Sequence, residues 1–243
     1  MDEDGYFGEA IAARYDEGTN PAEVEAAVGL LADLAGGGPA LELAIGTGRI
    51  AIPLAARGVE VHGIDLSRAM VRRLREKPGG ADMPVKIGDM TQVRMDATYR
   101  LVYLVFNTIG NLTSQDAQVA CFQNAAAHLE PGGLFLIETG VPQLRRLPPG
   151  ETARVFGHTD TYWGIDEYDP ATQGLVSHHL TLVDGKYEVE SIPFRSVWPS
   201  ELDLMARLAG MHLRDRWADW DRSLFTGESR KHVSVWAKPT EAQ

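Results

Sequence analysis

Residues 40–65, ALELAIGTGRIAIPLAARGVEVHGID, constrain the fold of this chain more than any other stretch. A short apolar strand ends near Glu42 and Ala44, and the chain then turns through Gly46-Thr47-Gly48. From Arg49 to Arg57 the apolar Ile50, Ile52, Leu54 and Ala55 give a helical period, and Gly58 supplies a C-terminal cap. A second strand, Val59 to Ile64, ends on Asp65. A nucleotide-type cofactor needs this order of elements. Small residues let the backbone approach a ligand, and a helix N-terminus offers free N–H groups. An acid at the end of the second strand can accept from two ribose hydroxyls.

The rest of the chain extends the unit. Residues 4–17 read as a short helix carrying Tyr6, Phe7, Ile11 and Tyr15, and Asn20-Pro21 caps a longer helix reaching about Ala35. Ser67 caps a helix that runs to about Lys77, and Pro84 to Ile87 is a third strand ending at Gly88-Asp89-Met90. Leu101 to Phe106 is apolar throughout, as expected of a strand covered on both faces. It leads into the polar loop Asn107-Thr108-Ile109-Gly110-Asn111. A helix from Ser114 to His128, a turn at Glu130–Gly133 and a fifth strand, Leu134 to Glu138, follow. Glu42, Asp65, Asp89 and Asn107 thus fall at the carboxyl ends of consecutive strands, where doubly wound sheets bind their ligands.

Residues 141–198 change character, with strand-like alternation and a hairpin signal at Asp184-Gly185. A two-residue turn there pairs Leu182 with Tyr187 and His178 with Ser191. In that register His178 lies on the apolar face, expected to be the covered one, and His179 on the polar face beside Glu190, expected to meet solvent. A helix from Pro199, a strand at His212–Trp217 and a late, antiparallel strand at Val233–Ala237 close the chain. The expected fold is a single α/β domain over 1–243. It is a doubly wound, mostly parallel seven-stranded, Rossmann-like sheet with a late antiparallel strand. Residues 1–38 form a helical lid, and a small antiparallel β insertion over 141–198 roofs the acceptor site.

Charge narrows the partners. The net charge is −11 with no basic run, which disfavours nucleic acid. No apolar run is long enough to cross a bilayer, so no membrane partner is expected. Cys121 is the single cysteine, and the acidic N-terminus lacks the order of a signal peptide, so a cytoplasmic protein is expected. No metal site is expected.

Two cofactor classes fit the opening unit. Gly46-Thr47-Gly48-Arg49-Ile50-Ala51 matches G-x-G-x-x-G/A, and Asp65 follows Gly46 by 19 residues, as in an NAD(P)-dependent oxidoreductase. In that register Glu42 falls in mid-strand, where a buried and unpaired carboxylate would be costly. A strand ending at Glu42 would instead leave the acid beside the glycine loop. Asp89 also has no role in the dehydrogenase scheme. The pattern Glu42-x-Ala44-x-Gly46-x-Gly48, then Asp65, Gly88-Asp89-Met90 and Leu129-Glu-Pro-Gly-Gly133, resembles the class I S-adenosylmethionine-dependent methyltransferases.

The resemblance implies that Glu42, Ala44, Gly46, Gly48 and Arg49 hold the methionine part, with Tyr15 closing over it. It implies that Asp65 takes the ribose, that Leu66 and Met70 pack on the adenine, and that Asp89 and Met90 flank its amine. Asn107 and Ile109 would line the sulfonium side. The family usually has Gly where this chain has Ala44. After the fourth strand the chain reads Asn107-Thr-Ile-Gly and lacks the Asn/Asp-Pro-Pro-aromatic tetrapeptide of enzymes acting on bases or glutamine. That is similar to the small-molecule branch, which includes sugar-amine and glycine/sarcosine N-methyltransferases. The expected reaction is methyl transfer to an N or O nucleophile of a small molecule. Tyr6, Asn111, Tyr162 and Arg195 are the acceptor-pocket candidates, and His178 is the candidate base. A non-catalytic S-adenosylmethionine-binding protein is the reading from another class.

Overall fold

A computed structural model describes residues 6–144 and 147–240. Among these, six α-helices are Glu9–Arg14 (α1), Pro21–Ala35 (α2), Ala51–Ala56 (α3), Arg68–Glu76 (α4), Gln115–His128 (α5) and Pro199–Leu208 (α6). Strands β1 to β5 are Ala40–Leu43, Val61–Asp65, Val85–Ile87, Tyr99–Leu104 and Leu129–Gly140. Strands β6 to β9 are Ala153–His158, Tyr162–Asp169, Gly174–Val183 and Lys186–Arg195, and β10 and β11 are His212–Trp217 and Lys231–Ala237.

The large sheet has the order β10-β11-β5-β4-β1-β2-β3. The first five strands run parallel, and β11 lies antiparallel between β5 and β10. This is the doubly wound seven-stranded sheet the sequence predicts. The chain leaves β1 toward β2 on one side, and β4 flanks it on the other, so a crevice opens at their carboxyl ends. Apolar cores cover both faces. One joins α2 and α3 to the sheet through residues such as Leu31, Leu54 and Val233, and the other joins α5 and α6 through Phe122, Met205 and Trp236. Strand alternation sends Leu41 and Leu43 into the second core.

Two helices are shorter than predicted. Gly8 precedes α1 and a turn follows it, so the helix covers Glu9–Arg14 and not the whole of 6–17, and residues 4–5 of the expected helix lie outside the described residues. Residues 49–50 are a turn, and α3 begins at Ala51.

Strands β6-β7-β8-β9 form a second, antiparallel sheet. Its hairpin turns at Asp184 (φ 49°) and Gly185 (φ 76°), and His178 pairs with Ser191 as expected. Both histidines are half-buried, but around Ser177 and Tyr168 the covered face is the one the sequence assigned to solvent. Trp163, Tyr187 and Val189, on the side of His178, are 39%, 50% and 61% exposed. Ser177 and Tyr168, on the side of His179, are buried. Alternation fixes which residues share a face, and only tertiary contacts decide which face turns inward.

Candidate active site

The glycine loop reverses direction within five residues, through Ala44 (φ 54°), Gly46 (φ 58°) and Gly48 (φ 76°). A methyl group at Gly46 would sit 3.3 Å from the Met70 Cε atom. The Gly46 N–H donates to Asp65 Oδ2 (2.6 Å) and the Ser67 N–H donates to Oδ1 (2.8 Å), so one carboxylate sets both the loop and the start of α4. Ala44 carries a side chain in the left-handed region, which strains an L-residue by roughly 1–2 kcal/mol. Glycine would lose roughly 0.4–1 kcal/mol to unfolded-state entropy. Ala44→Gly is therefore expected to stabilise the fold by about 0.5–1 kcal/mol in denaturant unfolding. A destabilised variant would contradict the strain.

A cavity of about 310 Å³ lies over this loop. Ala44, Gly46, Asp65, Leu66, Met70, Asp89 and Met90 line it, together with Tyr6, Phe7, Tyr15 and Asn111. Asp89 Oδ1 accepts from the Thr91 N–H (2.8 Å), and Oδ2 has no partner among the described residues. Burial pushes the Tyr15 hydroxyl above its usual pKa, against the opposing pull of Arg49.

The N-terminal segment is fastened over the cavity at two points. Ser67 Oγ donates to the Phe7 carbonyl (2.6 Å). Asp16 accepts from Thr47 Oγ1 (2.7 Å) and from Lys77 Nζ (2.7 Å), and Lys77 also donates to the Thr47 carbonyl (2.8 Å). These hydrogen bonds hold the Asp16 carboxyl below its ordinary pKa despite partial burial. Sequence reasoning missed Phe7, Asp16, Thr47 and Lys77 because the pairs lie 30 to 61 residues apart.

Several predicted residues sit elsewhere. Strand β1 runs on to Leu43, so Glu42 is inside it and 4% exposed, not at an open strand end. Glu42 is buried there, but it is paired. Tyr103 Oη donates to Oε2 (2.9 Å), and the Ala51 N–H also reaches the carboxyl. Desolvation nevertheless raises its pKa to about 8, against the opposing pull of Tyr103 and Arg49, so it can be neutral in the core.

Glu42, Gly48 and Arg49 are absent from the cavity lining. The Arg49 guanidinium stacks 3.8 Å from the Phe106 ring centroid and 5.2 Å from that of Tyr15. Ile109 is fully buried in the core beside α5, because the short 3-10 turn Thr108–Asn111 points it inward. Asn107 faces away from the first cavity, its Oδ1 accepting from Thr139 Oγ1 (2.5 Å) and the Gly140 N–H (3.0 Å).

A second cavity, about 200 Å³, opens at the ends of β4 and β5. Asn107, Gly140, Asp166, Tyr168, Phe194 and Arg195 are among its walls. Sequence neighbours Asn107/Thr108 and Pro193/Phe194 line one cavity each, so the two lie side by side. Arg195 is 6% exposed, and its guanidinium is committed to Gln118 (2.6 Å), Glu201 (2.7 Å) and Gln173 (3.2 Å). It ties the inserted sheet to α5 and α6.

His178 lines neither cavity. Its ring meets Ser191 Oγ (2.8 Å) and Glu167 (3.5 Å) on the outward face, which removes the geometric case for it as a base. His179, assigned to solvent by the sequence, meets Tyr162 Oη (2.8 Å) and Ser177 Oγ (3.3 Å) on the inward face. Tyr162 is engaged in that contact and reaches neither cavity.

An acid at the end of β2, a second acid after β3 with one oxygen unpartnered among the described residues, apolar Leu66, Met70 and Met90, and a left-handed loop over β1 suit an adenosyl cofactor. Fold and site together define the Rossmann-like methyltransferase class. Residues 40–133 match the family described as "Methyltransferase domain".

The chain is 37% identical to the CcbJ methyltransferase from Streptomyces caelestis, with a TM-score of 0.85 covering 98% of this chain and 100% of that one. It is 26% identical over 200 residues to the cypemycin N-terminal methyltransferase of a Streptomyces species, covering 80% of this chain and 81% of that protein. The fold is shared with S-adenosylmethionine-bound CalS10, an amino pentose methyltransferase from Micromonospora echinaspora. That match has a TM-score of 0.68 at 18% identity, covering 98% of this chain and 100% of CalS10. The chain belongs to the S-adenosylmethionine-dependent methyltransferases. The dehydrogenase reading of the glycine loop and the non-catalytic reading are set aside.

Proposed function

We propose that the protein methylates a nitrogen of a small molecule, with the cofactor in the first cavity and the acceptor in the second. The observation that carries this reading is the pair of adjacent cavities at the strand ends. At about 310 Å³ the first is at the lower limit of the roughly 300–1,000 Å³ a drug-sized ligand occupies, so a cofactor fills it. The second, at about 200 Å³, takes a small group and not a folded macromolecule. Nitrogen is favoured over oxygen because two of the relatives are named for methylating an N-terminus and an amino pentose. Net charge −11 supports the reading against a nucleic-acid acceptor.

In this reading Asp65 holds the ribose, Asp89 with Leu66, Met70 and Met90 holds the adenine, and Tyr6, Phe7 and Tyr15 form the lid that excludes water. Gly48 gives the loop its turn, and Glu42 and Arg49 set the charge around it. The inserted sheet over 153–195 roofs the acceptor. Bound S-adenosylmethionine supplies an electrophilic methyl group on a sulfonium. The protein's task is then to align a neutral nucleophile with it and keep water out. Among the described residues no helix is long and apolar enough to cross a membrane. We place the protein in the cytoplasm, and its buried free Cys121 requires no oxidising compartment.

The test is incubation with methyl-labelled S-adenosylmethionine and a fixed acceptor set. The set is glucosamine, a dipeptide with a free N-terminus, L-prolinamide and, for oxygen, catechol. Label on a nitrogen, located by mass spectrometry, is the expected result. Label on catechol oxygen alone, or on none of the set, would overturn the proposal.

A further inference from the structure

One face of the inserted sheet leaves Trp163, Tyr187 and Val189 exposed, while the face lining the second cavity sets polar Asp166 and Tyr168 beside apolar Leu175 and Phe194. A sheet that packs one face on a core normally hides its apolar side. Burial of Leu175 and Phe194 fits that rule, but it does not account for the carboxylate set among them.

Asp166 and Tyr168 line the second cavity, and a connected set of polar groups runs back from them. Asp166 is a wall of that cavity, and Tyr168 Oη donates to its Oδ2 (3.4 Å). The Ser177 hydroxyl, on the residue paired with Asp166 across β7 and β8, donates to the same carboxyl. Ser177 in turn meets His179 Nε2 (3.3 Å), whose Nδ1 meets Tyr162 Oη (2.8 Å). The charged groups facing Asp166 are Arg154 from β6 and His179 from β8, with Arg195 and Arg230 on the cavity walls. Arg195 is already committed to Glu201 and the two glutamines. Asp166 is therefore the acidic wall of a cavity whose one carboxylate has no full salt bridge among the described residues. Burial also raises its pKa, with hydrogen bonds and Arg154 opposing.

We propose that Asp166 is the catalytic carboxylate that receives the acceptor's ammonium group in the second cavity and takes its proton. This rests on the amine reading above. An amine reaching the site protonated has no lone pair to offer. Its N–H proton passes to an Asp166 oxygen, and the freed lone pair forms the N–C bond to the methyl group. The C–S bond breaks with its electrons going to sulfur, and the carboxyl later returns the proton to water. Ser177 and Tyr168 are positioning residues that hold the carboxylate toward the cavity.

The test compares wild type, Asp166→Asn and Asp166→Glu with whichever amine of the set above the wild type methylates fastest, across about pH 6–9.5. Asp166→Asn is expected to raise KM at least about tenfold and lower kcat, with activity recovering toward high pH as the amine arrives neutral. Asp166→Glu is expected to regain part of the loss. S-adenosylmethionine affinity is expected to stay within about twofold in both. An Asp166→Asn enzyme with wild-type KM, kcat and pH profile would overturn the assignment while leaving the amine reading intact. Loss of cofactor affinity in both variants would show a structural role and overturn it too. A wild type that methylates none of the amines sinks the amine reading and this assignment with it.

Discussion

Replacing Asp65 with alanine is expected to weaken S-adenosylmethionine binding by about a hundredfold and to destabilise the ligand-free fold by about 2 kcal/mol. The carboxylate is 7% exposed and accepts from both the Gly46 and Ser67 N–H groups. Truncation leaves two buried donors without an acceptor, each worth roughly 1–3 kcal/mol, partly recovered if water enters the cavity. The affinity loss has a second source, because the ribose loses a charged acceptor worth roughly 1.5–3 kcal/mol. Asp65→Asn separates the two. Its single carbonyl can keep one N–H satisfied, so it is expected to recover stability more than affinity. Calorimetric titration with thermal unfolding checks both; equal affinity in wild type and Asp65→Ala would contradict the assignment of the ribose.

The second large effect is a pH dependence centred on Glu42. Its pKa in the fold is about 8, against 4.5 as the ordinary value. Between those values the folded chain holds a proton that the unfolded chain has lost. The group's contribution to stability is therefore full below pH 4.5, falls as pH rises, and is fully lost above about 8. Each pH unit between the two values removes roughly 1.4 kcal/mol, so the span is on the order of a few kcal/mol.

A cationic cofactor works against this preference. Glu42 is close enough to Tyr15, Arg49 and Asp65 to share their field, and a sulfonium in the cavity favours the ionised carboxyl. Binding then expels the proton. S-adenosylmethionine affinity is expected to rise up to about tenfold per pH unit below 8, then level off. S-adenosylhomocysteine, which lacks the sulfonium charge, is expected to show a shallower rise. Glu42→Gln is expected to flatten the S-adenosylmethionine profile. A slope unchanged in Glu42→Gln would assign the proton to another group.

Local chemistry made much of this fold legible. The caps read from sequence are real: Asn20 and Ser67 accept from the N–H groups of Ala22 and Met70. The hairpin register follows from Asp184-Gly185 alone. Asp65 and Asp89 share one cavity because both follow strands whose carboxyl ends could be read from the apolar runs.

What stayed hidden was long-range. Glu42 looked unpaired in mid-strand because Tyr103, its partner, is 61 residues away. Its burial therefore does not discriminate between the two cofactor classes, and the family assignment does not depend on it. The alternation of β8 separated His178 from His179 correctly, but it carries no sign of which face meets the core. The usual rule of apolar inward chose the wrong one. Nothing in the sequence around Asp166 marks it as part of a site. Only the fold brings it beside Asn107 and Gly140.

The most direct test is a crystal structure with S-adenosylhomocysteine bound. The expected result puts the ribose on Asp65, the adenine among Leu66, Met90 and Asp89, and Tyr15 over the amino-acid end, with the sulfur turned toward the second cavity. A ligand that leaves the Asp65 carboxylate untouched, or whose sulfur is walled off from Asn107 and Asp166, would contradict it.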